Sequence, residues 1–296
     1  GVAAFSLTLP LTRYAVGGLE PLFIGAGRAV VAAVLAIAAL MITRQRIPSA
    51  RQWARLAVVG AGIVIVFPLL TTYALTSASA SHGAVMIALL PAATAVMAVL
   101  RGHEHPPLEF WVAAGLGAVA ALTFAFVQTG GFGTPDVADL LLLVAVLAAA
   151  IGYAEGGLLA RELGAWQTVS WALVLCGPLM LLLTVISVAR QTPHGTLGQW
   201  AAFAYLGVVS MFLGFFAWYR GLALGPMAQV SQVQLGQPVL SIAWAGLLLG
   251  EHLTWPTVVG GLVVVLCATA AVRSRKFRAQ AFADTGDTLR LTLDEH

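Results

Sequence analysis

Residues 21–42 read PLFIGAGRAVVAAVLAIAALMI and decide the fold. This run holds one charge, Arg28, and its length matches the roughly 20 apolar residues with which an α-helix crosses the hydrocarbon layer of a bilayer. The whole chain has the same character, since 60% of its 296 residues are hydrophobic and 9% are charged, against roughly 25% charged residues in an average soluble domain. So little charge cannot cover a surface in water. The sequence therefore predicts an all-α integral membrane protein.

Cutting the chain at charges, prolines and Gly/Ser clusters predicts ten transmembrane helices. The run from Gly1 to Tyr14 is apolar but too short to cross, so we expect the first helix to be incomplete at the N-terminus. Nine full spans follow: Pro21 to Ile42, Trp53 to Leu75, Ser81 to Leu100, Leu108 to Val127, Val137 to Leu159, Trp166 to Ala189, Leu197 to Trp218, Met227 to Leu249 and Trp255 to Val272.

Lys and Arg residues are distributed unevenly between alternate loops. One set of loops holds two of them, Arg13 and Arg190, whereas the other set and the C-terminal end hold eleven. Because basic loops stay in the cytoplasm, both termini are predicted to be cytoplasmic, with residues 274–296 as a cytoplasmic tail. The same clusters account for the net charge of +3 without a nucleic-acid partner.

The chain repeats itself at an offset of 147 residues. Rare residue types match at this one offset over more than fifty positions, which indicates duplication rather than shared apolarity. Each copy holds five spans, so we assign residues 1–130 to the first repeat and residues 131–273 to the second. The superposed positions are Gln52-Trp53-Ala54 on Gln199-Trp200-Ala201, Gly60 on Gly207, Leu75 on Leu222, Pro91 on Pro238, Leu100 on Leu247, and Glu104-His105 on Glu251-His252.

An odd number of helices returns the chain to the other side of the membrane, so the second repeat is predicted to be inverted relative to the first. The charges agree, because the loop from Arg44 to Arg55 holds four arginines and the corresponding loop holds Arg190 alone. Two inverted bundles can exchange conformations and expose a site between them to each side in turn. The repeat therefore predicts a small-molecule transporter.

Three stretches carry motifs typical of one transporter family: Pro21 to Arg28, Ala74 to Ser81 with Pro91 and Glu104, and Gly221 to Pro226 with Pro238 and Leu249 to Glu251. These stretches resemble the drug/metabolite transporter superfamily, specifically the ten-helix EamA family, and within it the YddG-like bacterial exporters of aromatic and other hydrophobic amino acids. The resemblance implies a bacterial inner-membrane location, export by alternating access, and a central cavity lined by helices 1, 3, 4, 6, 8 and 9. The first repeat departs from the pattern, since Arg101-Gly102-His103-Glu104 stands where Leu-Gly-Glu is usual.

Glutamines cluster in the span from Met227 to Leu249. Gln229, Gln232 and Gly236 share one face at helical spacing, flanked by Gln234 and Gln237. Polar groups at membrane depth are costly and therefore mark functional surfaces. We predict that the face of Gln229, Gln232 and Gly236 binds substrate, and the alternative is hydrogen bonding that holds neighbouring helices together.

Three further charged or titratable positions are candidates. His82 superposes on Gln229 at the 147 offset; it either contacts substrate or takes up a proton, or it is a helix-end histidine wetted at the interface. Glu155 either binds a substrate ammonium or couples a proton, or it pairs with Arg161 near the cytoplasmic end. Arg28 is expected to extend its long stem to the interface, with binding of a substrate carboxylate as the alternative.

The remaining candidates are aromatic, sulfur-containing and proline residues. Tyr73, Met86 and Tyr153 are assigned to substrate binding, although Tyr73 also suits an interfacial aromatic belt. Pro68, Pro91 and Pro238 are possible hinges because each removes a backbone hydrogen bond from its helix. The Glu104-His105 and Glu251-His252 pairs suit helix caps; a metal site is the alternative that we do not adopt.

The predicted function is a secondary transporter that exports small metabolites, above all aromatic or hydrophobic amino acids. A uniporter or channel-like facilitator for another small metabolite or drug is the alternative. The sequence holds no nucleotide-binding P-loop and no nucleophile elbow, so we predict that it is not an enzyme and has no cofactor. The expected partners are a small-molecule substrate and membrane lipid, and we expect a monomer, with a dimer as the alternative.

Overall fold

A computed structural model describes residues 1–102 and 136–251, together with residues 104, 106–112, 114–116, 119, 123, 255, 259, 263 and 266. Within this part of the chain all regular elements are helices. Six of them are long and apolar enough to cross a membrane. The predicted spans from Leu108 to Val127 and from Trp255 to Val272 lie largely outside the described residues, as does the whole tail. The count of ten helices stays a prediction.

Nine helices of the described part can be numbered in chain order. The first two, α1 and α2, are short and meet at Leu7, and the others match predicted spans with ends shifted by a few residues. Their bounds are α1 Val2–Ser6, α2 Thr8–Ala15, α3 Pro21–Ile42, α4 Ala50–Ser77, α5 Ala80–Gly102, α6 Val137–Leu163, α7 Ala165–Arg190, α8 Leu197–Leu224 and α9 residues 227–249.

Four of these helices are irregular near their middle, at positions related by the 147 offset. A π-helical turn occupies Ala61–Val66 of α4, and another occupies Leu206–Leu213 of α8. Helix α5 is interrupted between Ile87 and Leu90, and α9 passes through a 3₁₀ turn at Val233–Leu235. Such turns leave backbone carbonyls without their regular partners and often occur at functional sites.

Prolines explain the interruptions of α5 and α9. Pro91 and Pro238 follow the two interruptions, where a proline ring clashes with the carbonyl four residues earlier. Pro68 lies just after the π-helical turn of α4, and the Oγ1 of Thr72 donates to its carbonyl at 2.7 Å. By contrast, α7 continues without a break through Pro178. Whether the first three prolines act as hinges stays a prediction.

The outer surface of the bundle is apolar. On α6, the exposed side chains Leu140, Val144 and Leu147 form a stripe at helical spacing, whereas Leu142 and Ala149 face the interior. Exposed apolar stripes of this length suit contact with lipid tails. They agree with a multi-pass membrane protein.

The two ends of the bundle differ in charge. At what we call the arginine-rich end, comprising residues 44–55, 101–104, 155–167 and 220–228, Arg55 of α4 pairs with Glu162 of α6. At the opposite end, comprising residues 13–20, 75–82, 187–199 and 251, Arg13 donates to the carbonyl of Leu75 at 2.8 Å. The loops 44–55 and 190–199, which correspond in the two repeats, thus lie at different ends.

The repeated Gln-Trp motif has a structural cause. Gln52 and Ser49 form a capping box at the start of α4, and Gln199 and Thr196 form the same box at the start of α8. In each box the hydroxyl accepts from the glutamine backbone N–H, and the glutamine side chain accepts from the backbone N–H of the cap residue. The 147 offset therefore relates two helix starts with the same local chemistry.

Candidate substrate cavity

A small cavity lies in the centre of the bundle, where α1 to α6 meet α8 and α9. Its volume is about 30 Å³, which is room for one or two water molecules. The lining comes from both halves of the chain, and both π-helical turns contribute to it through Ile63 and Ser210. The family resemblance implies predicted spans 1, 3, 4, 6, 8 and 9 around such a cavity. Helix α3, which is the second predicted span, also contributes here through Arg28.

Aromatic rings form one side of the cavity. The lining includes Phe5, Phe67, Tyr153 and Phe215. Phe5 packs on Phe215 with ring centroids 5.0 Å apart, and Tyr153 packs on Phe215 at 6.1 Å. Trp218, on the next turn of α8, contacts both Phe5 and Tyr153 from behind. Tyr153 thus occupies the place predicted for a substrate-binding residue, although its role stays a prediction.

Arg28 supplies a buried positive charge on another side of the cavity. Its side chain is 1% exposed and lines the cavity from α3. This position contradicts the expectation that the stem of Arg28 reaches the interface. Its Nε and Nη2 atoms are buried, and no described residue accepts a hydrogen bond from them. An unpaired buried guanidinium is strongly unfavourable, so this charge requires a function.

The glutamines of α9 face different directions from those predicted. Gln234 and Gln237 line the cavity, and the Nε2 of Gln234 donates to the Oε1 of Gln237 at 3.0 Å. The Oε1 of Gln234 is buried without a partner among the described residues. The 3₁₀ turn at Val233–Leu235 has three residues per turn rather than 3.6. The cavity meets the flank of α9 that carries Gln234 and Gln237, rather than the face that the sequence analysis favoured.

The predicted face of Gln229, Gln232 and Gly236 is divided accordingly. Gln232 is buried, and its Nε2 donates to the carbonyl of Pro91 at 3.3 Å, which is the alternative role of holding helices together. Gln229 faces a groove at the arginine-rich end, beside Glu104. A Cβ placed on Gly236 would meet no atom of the described residues within 4 Å. None of the three belongs to the lining of the central cavity.

Glu155 lies at the arginine-rich end rather than in the cavity. Its side chain is 2% exposed and accepts hydrogen bonds from Arg55 and from Arg101, whose Nε lies 3.1 Å away. The alternative that Glu155 pairs with Arg161 is wrong, because the Nη2 of Arg161 donates to the carbonyl of Gly225 at 3.2 Å. The two arginines neutralise Glu155, because hydrogen-bonded charge pairs are the usual form of a buried carboxylate. The site therefore fastens α4, α5 and α6 together.

Three other candidates lie outside the cavity lining. The Nε2 of His82 and the Oδ1 of Asp139 are 2.6 Å apart at the opposite end, which links α5 to α6. Tyr73 is 41% exposed at the same end. Met86 is half-buried and packs against a small apolar cluster that includes Leu142. Each of them touches substrate only if the bundle opens toward that end.

Two glutamates clasp the starts of helices in the other repeat. Oε1 and Oε2 of Glu104 accept from the backbone N–H groups of Met227 and Ala228 at 2.7 and 3.0 Å. In the same way, Glu251 accepts from the N–H groups of Ala80 and Ser81 at 3.0 and 3.2 Å. We call these contacts the Glu104 clasp and the Glu251 clasp.

The two clasps are related by the 147 offset at every position. The Glu104 clasp joins residue 104 to the start of α9 at the arginine-rich end, and the Glu251 clasp joins residue 251 to the start of α5 at the opposite end. Both use carboxylates where a helix start favours negative charge. The interpretation of the Glu-His pairs as helix caps is therefore confirmed for the glutamates, while His105 and His252 lie outside the described residues.

Sequence comparisons give the same picture as the fold. The EamA-like transporter family matches the sequence twice, over residues 1–126 and 136–273. A protein of Bacillus subtilis (strain 168) described as "uncharacterized transporter YdeK" is 42% identical over 276 residues, which cover 93% of this chain and 96% of the relative. The chain belongs to the EamA-like transporter family.

More distant relatives extend this family assignment. An "uncharacterized transporter" of Archaeoglobus fulgidus is 27% identical over 284 residues, with 93% of this chain and 96% of the relative covered. One crystal structure of a protein with 17% identity has a TM-score of 0.71 and covers 91% of this chain and 96% of its own; at that identity the likeness shows the fold alone. EamA-like transporters are not enzymes, and this chain is a membrane transporter.

Proposed function

We propose that this EamA-like transporter exports small metabolites, above all aromatic and hydrophobic amino acids, by alternating access through the central cavity. The observation that carries the proposal is the composition of the cavity wall. Aromatic rings, a buried guanidinium and two glutamines surround one small space. A ring or aliphatic side chain suits the aromatic wall, and an amino acid head group suits the polar one.

Alternating access is supported by the two clasps and by the small size of the central cavity. The Glu104 and Glu251 clasps are formed together, and the cavity of about 30 Å³ is too small for an aromatic amino acid. Substrate therefore enters only after one end of the bundle opens. Inverted repeats provide two equivalent ways to open, one toward each side. The assignment of residues 1–130 and 131–273 to these repeats is part of the proposal.

The proposed location is the bacterial inner membrane, with both termini in the cytoplasm. This orientation places the arginine-rich end inside, as the distribution of basic loops favours. We propose a monomer as the working unit because each chain contains both repeats and its own cavity.

Counterflow in proteoliposomes tests the proposed function. Vesicles containing purified protein are loaded with unlabelled phenylalanine, and uptake of labelled phenylalanine is measured from outside. We expect saturable uptake that is accelerated by internal substrate, because a carrier returns faster when loaded. Flux that does not saturate and is not accelerated would favour the channel-like alternative. Absence of flux for all amino acids would overturn the proposed substrate class.

A further inference from the structure

We infer that Arg28 binds the carboxylate of the transported molecule and that Gln234 accepts a hydrogen bond from its ammonium group. The inference rests on the proposed function and deepens it, because it names the chemical groups that the central cavity selects. It excludes organic cations that lack a carboxylate as good substrates.

The geometry of Arg28 leaves its donors available in the cavity. The guanidinium is fully buried in α3, a third of the way along a membrane-spanning helix, and its Nε and Nη2 have no partner among the described residues. None of the described residues that line the cavity is acidic. A bound ligand can therefore supply the carboxylate that neutralises this charge. A planar guanidinium binds a carboxylate through two parallel hydrogen bonds.

Gln234 supplies the complementary acceptor. Its Nε2 is used by Gln237, which fixes the orientation of the amide and leaves Oε1 buried and unpaired in the same cavity. Gln237 is held in turn, since its own Nε2 donates to the carbonyl of Phe5 at 3.4 Å. Two unpaired groups of opposite polarity thus line one space. Together they match the carboxylate and the ammonium of an α-amino acid.

Glu155, the acidic side chain considered for the substrate ammonium in the sequence analysis, lies outside the cavity and is already paired. Glu155 is occupied by Arg55 and Arg101, so it cannot receive the substrate ammonium without breaking two ion pairs. A neutral amide oxygen binds an ammonium more weakly than a carboxylate does. We therefore expect Arg28 to determine binding and Gln234 to tune the preference between zwitterions and simple carboxylates.

The experiment compares three ligands that share one phenyl ring. Phenylalanine carries both groups, 3-phenylpropanoate lacks the ammonium, and 2-phenylethylamine lacks the carboxylate. Counterflow and ligand-induced thermal stabilisation are measured for the wild type, Arg28→Gln, Arg28→Lys and Gln234→Leu. Arg46→Gln is the control, because it removes an arginine from an exposed loop position at the arginine-rich end.

We expect the wild type to bind phenylalanine and 3-phenylpropanoate at least tenfold more tightly than 2-phenylethylamine. Arg28→Gln should lose at least tenfold in affinity for both carboxylates. Gln234→Leu should lower the affinity for phenylalanine several-fold more than the affinity for 3-phenylpropanoate. Arg46→Gln should bind all three ligands as the wild type does. Tight binding of 2-phenylethylamine, or unchanged affinity for carboxylates in Arg28→Gln, would overturn the inference.

Arg28→Lys keeps the inference testable if Arg28→Gln fails to fold. The lysine retains the charge but loses the paired donors, so KM for phenylalanine should rise while the folded yield is kept. An unchanged KM would contradict the role of Arg28. If no amino acid is transported but 3-phenylpropanoate stabilises the wild type and not Arg28→Lys or Arg28→Gln, the proposed substrate is wrong and the carboxylate site stands.

Discussion

Replacing one clasp glutamate should open one end of the transporter and leave the other closed. Glu104 holds the start of α9 at the arginine-rich end, and Glu251 holds the start of α5 at the opposite end. Alternating access requires that each end opens separately. The substitutions Glu104→Gln and Glu251→Gln keep the size of the side chain and remove its charge.

The expected size of the effect follows from the hydrogen bonds of each clasp. Glu104 accepts two backbone N–H bonds at 2.7 and 3.0 Å, and Glu251 accepts two at 3.0 and 3.2 Å. A hydrogen bond to a charged group contributes roughly 1.5–3 kcal/mol and a neutral one about 0.5–1.5 kcal/mol. Glutamine keeps one neutral bond and turns an N–H toward the other donor. We therefore expect a loss of about 1–3 kcal/mol, which is a roughly 5- to 150-fold rise in the open population.

Cysteine labelling measures this population at each end. Ser231→Cys and Ala84→Cys place reporters at buried positions related by the 147 offset, beneath the Glu104 and Glu251 clasps respectively. The background carries alanine at Cys176 and Cys267. Glu104→Gln should accelerate maleimide labelling at position 231 and not at 84, and Glu251→Gln should do the reverse.

The control for the clasps is Glu162→Gln. Glu162 lies at the arginine-rich end and is 47% exposed, so its pair with Arg55 contributes little. The Glu162→Gln substitution should therefore leave the maleimide labelling rates at positions 231 and 84 at their wild-type values. If either clasp substitution accelerates both reporters equally, the clasps stabilise the whole fold rather than one end, and the sided mechanism is refuted. Unchanged rates at both reporters would refute it as well.

Three further predictions concern packing and topology. Glu155→Gln should lower the thermal midpoint in detergent by several degrees, because two arginines lose their carboxylate at a cost of about 1–3 kcal/mol after allowance for their partial exposure. Gly62→Ala should destabilise the bundle by about 1–3 kcal/mol, since the new Cβ would lie 2.3 Å from a backbone oxygen of α6. The control Gly236→Ala adds a Cβ that meets no atom of the described residues within 4 Å, so it should be neutral or stabilising in the same melting assay. An impermeant maleimide added outside intact cells should label Gln191→Cys and spare Arg46→Cys; the opposite pattern would reverse the proposed orientation.

The helices could be predicted because their signal is local. Apolar length alone located α3, α4 and α6 to α8, since a lipid-facing helix needs an uninterrupted apolar surface. The repeat was also visible, because its markers carry local chemistry: Gln52 and Gln199 cap helices, and Glu104 and Glu251 clasp them. The glutamine and glutamate residues that cap or hold a helix start are the same in both repeats, whereas many of the surrounding apolar residues differ between the repeats.

The partners of Glu155 could not be predicted, because its contacts come from distant parts of the chain. Arg55 is 100 residues away in sequence and Arg101 is 54 residues away. The sequence neighbour Arg161 was the natural expectation, but it lies a turn and a half further along α6, where it reaches the end of α8 instead. Closeness in sequence therefore does not identify the ion-pair partner of a carboxylate on which side chains from other helices converge.

The composition of the cavity depends on helix rotation, which residue spacing alone does not determine. Residue spacing places Gln229, Gln232 and Gly236 on one face of α9 and Gln234 and Gln237 on its flank, and it is the flank that lines the cavity. The sequence identifies both faces of the helix, but not which of them the packing of the bundle turns toward the centre. Arg28, by contrast, was easy to identify from the sequence, because it is the one charge in an apolar run of 22 residues. Its burial beside the cavity, with no described acceptor for Nε or Nη2, is the observation on which the proposed carboxylate site rests.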